Sequence, residues 1–289
     1  MGVSYLGARL DALQITQNPD GGWGYFAGKQ SWLEPTAYAA IALHGTAAAD
    51  RAWALLASWQ RQDGSWRPSQ EVEIDNWGAA LCSTLANLRG EFGASYQRGL
   101  AWLLDMQGSE TRLRNRVVSH LGILDMERNL SLEGWPWKPG TTSWVEPTAH
   151  ALVALKQSNS KFPSNKLAAR VRLGEDQLLD IRCGDGGWNY GSRSAFHIPL
   201  PSYPETTGIA LLGLQGRAES SSAVDVARRM SQESPSPLAR AWLSIGLRLH
   251  EAGGLDPAGG LTRDLVLVAL QAIATPEGNW AAMKGTLSA

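Results

Sequence analysis

The sequence has few cysteines, few charged residues and no long hydrophobic run, and each shortage excludes a class of protein. Its 289 residues include only two cysteines, Cys82 and Cys183, too few for a disulfide scaffold or a four-thiolate metal site. No apolar run reaches the ~18 residues that a membrane-spanning helix needs. The 26 basic and 27 acidic side chains leave a formal net charge of −1. A nucleic-acid-binding protein normally has a basic excess, so we do not expect nucleic acid as a partner.

The chain has the composition of a folded protein. Hydrophobic residues make up 44% of it and charged residues only 18%, which excludes wholesale disorder. The first residues, Met1–Leu6, lack the basic segment, apolar stretch and cleavage site of a secretory signal. They also lack the myristoylation pattern, because Leu6 stands where Ser or Thr is required. We therefore expect a cytoplasmic protein.

Tryptophan and glycine are abundant, and a repeated segment explains both. The chain has 13 Trp among its 23 aromatic residues, and 31 Gly. The segment Gln17–Trp23, Gln-Asn-Pro-Asp-Gly-Gly-Trp, recurs as Gln60–Trp66 and, with Arg in place of Gln, as Arg182–Trp188. Glu133–Trp135 and Pro276–Trp280 are weaker copies. Repeats at such spacing indicate an architecture built from one supersecondary unit.

A helix with a recurring start follows the repeated segments. Trp32–Leu43 and Trp144–Leu155 agree at most positions, including Glu-Pro-Thr-Ala, and Tyr203–Leu214 and Glu73–Thr84 are further copies. Proline directly after the acidic residue suits the first turn of a helix. These helices are apolar on nearly all sides, which predicts that they are buried. The helices that precede the Trp loops carry more Arg, Asp and Gln, as expected of an outer layer.

The pattern predicts an all-α protein, because strand-like alternation is almost absent. Outer and inner helices that alternate along the chain predict a closed α/α toroid of six hairpins, in one domain over residues 1–289. One predicted helix, 112–128, fits neither position: it precedes a Trp loop like an outer helix but follows 95–107 as an inner helix would. The predicted helices span residues 3–17, 34–44, 48–61, 75–89, 95–107, 112–128, 144–157, 165–182, 205–215, 222–232, 237–249 and 261–274.

The repeats resemble those of the prenyltransferase/squalene-cyclase repeat family. The Gln-Xaa-Xaa-Asp-Gly-Gly-Trp copies are similar to the QW motifs of triterpene cyclases, and the resemblance extends from about residue 3 to 215. It implies an α/α toroid with a central cavity and a small apolar, isoprenoid-like ligand. Triterpene cyclases have two such domains, whereas this chain has the length of one. Triterpene cyclases also contact membranes peripherally, and the resemblance allows the same here.

The resemblance also suggests a catalytic acid. Class II cyclases protonate their substrate with the middle Asp of an Asp-Xaa-Asp-Asp motif at the start of an inner helix. The corresponding stretch here is Glu73-Ile-Asp75-Asn76-Trp77, so Asp75 matches the proton donor and Glu73 the first acidic position. Glu, Asn and Trp-Gly replace Asp, Asp and Thr-Ala of that pattern. Burial and a nearby carboxylate would raise the pKa of such an acid, whereas a helix N-terminus opposes that shift.

Three glutamates stand at the same repeat position as Asp75. They are Glu34, Glu146 and Glu205. One interpretation is structural: acidic residues stabilise helix starts by capping and by the helix dipole. The other is catalytic: inner helices with parallel starts would place all four carboxyls around one mouth of the ring, where Asp75 and Glu146 or Glu205 could act as an acid/base pair.

Aromatic residues on or just before the inner helices are candidates for ligand contact. An aromatic face attracts a cation, which suits a carbocation, although it equally suits a sugar ring or an apolar core. His150 lies four residues after Glu146, on the same helix face. The predicted substrate-binding residues are Trp32, Glu34, Tyr38, Trp77, Trp144, His150, Tyr203 and Trp242. The loop tryptophans Trp23, Trp66 and Trp188 are instead expected to staple helices of the ring together.

No metal site and no cofactor are predicted. The prenyltransferase β-subunits of this family hold zinc, but Cys82 and Cys183 do not stand in their Asp-Xaa-Cys pattern. Magnesium would enter only with a diphosphate substrate. A cluster of Arg112, Arg114 and Arg116 at a helix start could bind such a group, or form a solvated helix face.

Three functions are compatible with these features. The first is class II, proton-initiated cyclisation of an isoprenoid with Asp75 as general acid, an isomerase-like activity. The second is a carbohydrate-active toroid, in which paired carboxyls flank a glycosidic bond. The third is a ligand-binding toroid without catalysis. The character of the central cavity separates these alternatives, because a deep apolar pocket, an open acidic groove and a filled ring favour different functions.

Overall fold

The computed structural model describes residues 4–74, 76–121, 127–255 and 258–285. These ranges contain twelve α-helices, one short hairpin and three 3-10 turns. The helices are α1 Tyr5–Ile15, α2 Leu33–Ala42, α3 Ala47–Ser58, α4 Gly78–Arg89, α5 Ala94–Asp105, α6 Leu113–His120, α7 Val145–Lys161, α8 Asn165–Asp180, α9 Pro204–Gly213, α10 Ser221–Glu233, α11 Pro237–Leu249 and α12 Leu265–Ile273. The antiparallel strands are β1 Ser194–Ala195 and β2 Ile198–Pro199, and the 3-10 turns are Ser109–Thr111, Ala218–Ser220 and Asn279–Met283.

Six helices form a closed inner ring. Each of α2, α4, α7, α9, α11 and α12 packs against the next, and α12 packs against α2. Most residues of each of these helices are buried, so each is covered by neighbours on most of its surface. In α2, for example, every residue is buried except Glu34 at its start. No helix in the described part of the chain is long and apolar enough to cross a membrane.

An outer layer of amphipathic helices covers this ring. Helices α1, α3, α5, α8 and α10 each pack with one side against inner helices. In α3 the buried face consists of Ala48, Ala49, Ala52, Trp53 and Leu56, which recur at helical spacing. The predicted all-α toroid with buried second helices is therefore confirmed.

The outer layer departs from strict alternation at two places. Helix α6 buries none of its residues, and its main contact is the turn Ser109–Thr111. Its only apolar stripe is narrow, and Leu113, which begins that stripe, is 76% exposed. The predicted helix 112–128 is thus a peripheral helix, and residues 122–126 lie outside the described ranges. The second departure is that α11 and α12 are consecutive inner helices, so the described residues supply five outer helices rather than six.

The Trp loops tie the two layers together. Trp23 is fully buried, its indole N–H donates to Leu13 O of α1 at 2.8 Å, and its backbone N–H donates to Thr36 Oγ1 of α2 at 2.9 Å. Three further loops repeat the indole bond to an outer helix. The pairs are Trp66 with Leu56, Trp135 with Leu103, and Trp188 with Leu178. A buried indole needs such an acceptor, so one side chain fixes both the loop and the helix end.

Candidate functional site

Five inner helices, α2, α7, α9, α11 and α12, begin around a cavity at one mouth of the ring. The loops after Trp23, Trp135 and Trp188 lead into the starts of α2, α7 and α9, so the repeat brings equivalent residues to the same end of the toroid. The cavity has a volume of about 250 Å³. Its wall combines acidic, aromatic and aliphatic side chains. The lining residues are Tyr25, Glu34, Glu146, Tyr190, Glu205, Thr206, Ile209, Leu238, Trp242, Asp264, Val266 and Leu270.

Four carboxyl groups share this small wall. Glu34, Glu146 and Glu205 lie in the first turns of α2, α7 and α9. Asp264 is the N-cap of α12, and its Oδ1 accepts hydrogen bonds from the backbone N–H groups of Val266 and Leu267 at 3.0 and 3.2 Å. A helix N-terminus stabilises a negative charge, which accounts for an acidic residue at each start. The structure therefore brings three of the predicted acidic residues together and adds Asp264.

Two of the carboxyls accept a hydrogen bond from a tyrosine of their own repeat. Tyr25 Oη donates to Glu34 Oε2 at 2.7 Å, and Tyr190 Oη donates to Glu205 Oε1 at 2.8 Å. This bond to Glu205, assisted by burial, raises the pKa of Tyr190 to about 12. Burial raises the pKa of Glu34 as well, against the opposing effect of the Tyr25 bond. Both tyrosines thus stay protonated as donors at neutral pH.

Glu146 has no such partner. Each of the two tyrosines stands two residues after its loop tryptophan, and in the Glu146 repeat that position is Trp137, which has no hydroxyl group. Among the described residues, no hydrogen bond or ion pair reaches the Glu146 carboxyl. Burial, and then the nearby Glu34 carboxylate, raise its pKa to about 8. Glu146 lines the cavity, and with this pKa its carboxyl is mainly protonated at neutral pH.

Aromatic side chains fill the ring beneath the cavity. Tyr38 and His150 are fully buried, and Tyr38 Oη lies 3.1 Å from His150 Nε2. The rings of Trp77 and Trp242 lie 5.3 and 5.7 Å from the imidazole of His150. Burial lowers the pKa of His150 to about 3, so the imidazole is neutral. We call these four residues the aromatic floor. The central part of the ring is therefore occupied by protein, and the ligand space is the mouth above it.

Other predicted aromatic residues lie at the rim of this mouth. Trp32, Trp144 and Tyr203 are the N-cap residues of α2, α7 and α9. Trp144 is 37% exposed and Tyr203 39% exposed, whereas Trp32 is half-buried. They do not line the cavity itself. Trp242 is the one predicted aromatic residue that does.

The predicted Glu73 lies elsewhere, and Asp75 is outside the described residues. Glu73 is exposed on the surface, where Arg61 Nη1 and Arg67 Nη1 approach its carboxylate at 3.1 and 2.8 Å. The reason is local: α4 begins at Gly78 rather than at 75, and the Asn76 side chain accepts the Gly78 N–H at 2.8 Å. Glu73 therefore stands before the helix and does not belong to the cavity.

Sequence reasoning missed several cavity residues that carried a detectable signal. Tyr25 and Tyr190 occupy the same position after the loop tryptophan, which a comparison of the repeats could have found. Asp264 precedes the apolar run Leu265–Ile273 as an N-cap should. Ile209, Val266 and Leu270 carried no separate signal, because their helices are apolar on every side.

The cavity contains no basic group and no metal-binding cluster in the described part of the chain. No Lys, Arg or His side chain belongs to its wall. Across the described ranges, no group of three or more His, Cys, Asp or Glu residues is placed to hold a metal ion. The Arg112–Arg116 cluster lies at α6 on the periphery, away from the ring mouth.

Comparisons with known proteins support the fold. No family model matches the sequence, and no curated protein matches it. Among solved structures, the type II terpene cyclase MstE from Scytonema is 16% identical, with a TM-score of 0.54 over 86% of this chain and 73% of that one. Another structure of that cyclase contains its substrate, geranylgeranyl dihydroxybenzoate.

Glycosyl hydrolases share the same architecture. Endoglucanase Cel10 from Klebsiella pneumoniae, of family 8, is 13% identical, with a TM-score of 0.63 over 96% of this chain and 99% of that one. Endo-beta-1,4-glucanase CMCax from Acetobacter xylinum is 12% identical, with a TM-score of 0.58 over 99% and 100%. At such identities the likeness concerns the fold alone. The protein is therefore an α/α toroid of the architecture that class II terpene cyclases and family 8 glycosyl hydrolases share.

Proposed function

We propose that this toroid protonates an isoprenoid in its mouth cavity, with Glu146 as the general acid. The observation that carries this proposal is the difference between Glu146 and the other cavity carboxyls. Glu34 and Glu205 accept a tyrosine hydrogen bond and Asp264 caps a helix, whereas Glu146 has no partner among the described residues and a pKa of about 8. A general acid works best when its pKa lies near the working pH. Asp75 of the sequence-based hypothesis remains a candidate for the same role.

The cavity wall suits the charge that this step creates. The Glu146 carboxyl transfers its proton to one carbon of an alkene, the π electrons form the new C–H bond, and the other carbon becomes a carbocation. A neighbouring alkene can then supply electrons to close a ring, and loss of a proton ends the sequence. The newly ionised Glu146 stabilises the positive charge, and Trp242 presents an aromatic group to it.

The size of the cavity limits how much of a ligand it holds. At the ~30 Å³ that a water molecule occupies in the liquid, the 250 Å³ cavity holds roughly eight heavy atoms. A ligand pocket for a complete drug-sized molecule usually exceeds about 300 Å³. We therefore infer that a short isoprenoid, or the reactive end of a longer one, enters the cavity. The aromatic rim would cover the remainder.

A carbohydrate substrate is the second candidate, and the rim favours it. Tyr190 and Tyr203 are both about two-fifths exposed, and their rings lie 5.1 Å apart, as a platform for a sugar would require. Glu146 and either Glu205 or Asp264 would then be the paired carboxyls that act as the acid and base of a glycosidase. A toroid that only binds its ligand would need neither the protonation of an alkene nor the acid/base catalysis of a glycosidase.

The Glu146→Gln variant tests these alternatives. Glutamine keeps the size of the side chain and cannot donate the carboxyl proton, and general acid catalysis typically accelerates a reaction by about 10²–10⁴-fold. Purified protein would be incubated with prenyl alcohols, prenyl diphosphates, squalene and β-glucan oligosaccharides, and the products identified by mass spectrometry. A cyclised product that Glu146→Gln loses and Glu73→Gln retains supports the proposal. Hydrolysed oligosaccharides would instead establish the glycosidase, and a product unaffected by Glu146→Gln would exclude Glu146 as the acid.

A further inference from the structure

We infer that Trp242 determines the length of ligand that the ring admits. Its indole lies between the mouth cavity and the buried rings of Tyr38 and His150, and truncating it would extend the cavity toward the centre of the ring. This inference rests on the proposed function for the chemical class of the ligand, an isoprenoid. It concerns specificity rather than proton transfer, so Trp242 is a specificity-determining residue and not a catalytic one.

The position of the indole supports this role. Trp242 is only 3% exposed, it lines the cavity, and its ring centroid lies 5.8 Å from that of Tyr38 and 5.7 Å from that of His150. Of the four residues of the aromatic floor, Trp242 alone belongs to the cavity wall. Its side chain therefore has ligand space on one side and the centre of the ring on the other.

The backbone of Trp242 is held in place by a contact between two inner helices. Helix α9 approaches α11 so closely that a Cβ atom on Gly208 would lie 2.6 Å from the Trp242 carbonyl carbon and 2.7 Å from its oxygen. On the other helix, a Cβ atom on Gly246 would lie 2.7 Å from Gly208 O. Such spacing fits only glycine, and a close-packed interior leaves no room for α11 to shift. The depth of the cavity is thus set by the size of the side chain at 242.

The space that truncation of Trp242 would open suits the interior of an isoprenoid chain. The rings of Tyr38 and His150 would line it, and these two side chains already satisfy each other through their 3.1 Å hydrogen bond. No charged side chain belongs to this floor. Truncation of a buried leucine opens a cavity on the order of 150 Å³, and loss of an indole should open at least that much. The 250 Å³ cavity would then approach the size of an ordinary ligand pocket.

A panel of neutral prenyl alcohols of ten, fifteen and twenty carbons tests the inference by calorimetric titration. The wild type should favour the shortest alcohol. Trp242→Ala and the milder Trp242→Leu should bind the two longer alcohols at least tenfold more tightly than the wild type does. The matched control is Trp77→Leu, which alters the same aromatic floor without altering the cavity wall. A chain-length preference unchanged by both Trp242 substitutions, or shifted equally by Trp77→Leu, would overturn the inference.

A crystal of each Trp242 variant under xenon pressure separates this inference from the proposed function. Xenon reports an apolar space whatever the natural ligand is. Xenon density that continues from the mouth to Tyr38 and His150 supports the role of Trp242, even if the prenyl alcohols fail to bind and the isoprenoid proposal falls. A floor that remains closed to xenon in both variants refutes the role of Trp242, even if the wild type cyclises an isoprenoid.

Discussion

Tyr25 donates a hydrogen bond of 2.7 Å to the Glu34 carboxylate, and this relationship recurs between the equivalent residues Tyr190 and Glu205 but not at Glu146. The repeat supplies a phenol beside two of its acids and an indole, Trp137, in the third copy. Trp137 thus accounts for the difference between Glu146, which keeps its proton at neutral pH, and the two glutamates that accept a tyrosine hydrogen bond. A repeat architecture can in this way give chemically different roles to residues at equivalent positions.

Restoring the phenol should abolish this difference. We expect Trp137→Tyr to place a hydroxyl group beside Glu146, because the tyrosines two residues after Trp23 and Trp188 reach the glutamates of their own repeats. A hydrogen bond to the carboxylate lowers its pKa, so the alkaline limb of the pH–activity profile should move from about 8 to lower pH. The control is Trp137→Phe, which also disturbs the ring contact with Trp77 but carries no hydroxyl. Equal profiles for the two variants would contradict the explanation.

The raised pKa of Glu146 should also make stability depend on pH. The group titrates near 4.5 when unfolded and near 8 when folded, so the folded state binds more protons in this interval. Stability should therefore be greatest below pH 4.5 with respect to this group and fall as pH rises toward 8, by about 5 kcal/mol. Urea unfolding of wild type and Glu146→Gln across this range measures the effect. The variant should show a shallower fall, and parallel curves would mean that Glu146 is not protonated in the folded state.

The charge of the cavity predicts which head group it accepts. Among the described residues, the cavity wall has four acidic side chains and no basic one. These carboxyls already occupy the N-termini of four inner helices, where an anionic ligand group would otherwise bind. A diphosphate would meet like charge without an arginine or a free helix N-terminus to offset it. We expect a prenyl amine to bind at least tenfold more tightly than the diphosphate of the same chain length. The calorimetric comparison should be made at low and high salt, and tighter binding of the diphosphate would refute this account of the wall.

The loop tryptophans should be structural residues. Trp188→Phe removes the 2.7 Å indole bond to Leu178 O and leaves a smaller ring in a fully buried site. Loss of this bond and of packing should lower the free energy of unfolding by about 2–4 kcal/mol. Ligand binding should change little, because Trp188 is outside the cavity wall. Phe196→Ala, at a residue that is 92% exposed, is the neutral control, and equal melting temperatures for the two variants would argue against the stapling role.

Much of the fold could be predicted from the sequence because its determinants are local and repeated. The apolar character of α2, α7 and α9 predicted inner helices, and the Glu-Pro-Thr start of α2 and α7 and the Pro-Glu-Thr start of α9 marked where they begin. The recurrence of Glu34, Glu146 and Glu205 at those starts then predicted that the carboxyls would meet at one mouth. The same reasoning failed for Glu73, because a hydrogen bond between Asn76 and Gly78 begins α4 later than the motif suggested.

By itself, the sequence determined the periodicity: which helices are buried, where they start and which residues recur. The tertiary structure alone decided which side chains those recurring residues contact. The pKa of Glu146 depends on its burial in the closed ring and on the nearby Glu34, while Trp137 stands where the other two repeats have a tyrosine. The depth of the cavity depends on how closely Gly208 lets α9 approach α11, which fixes Trp242 above Tyr38 and His150. Burial, desolvation and contact are properties of several distant segments together, so no repeat unit contains them.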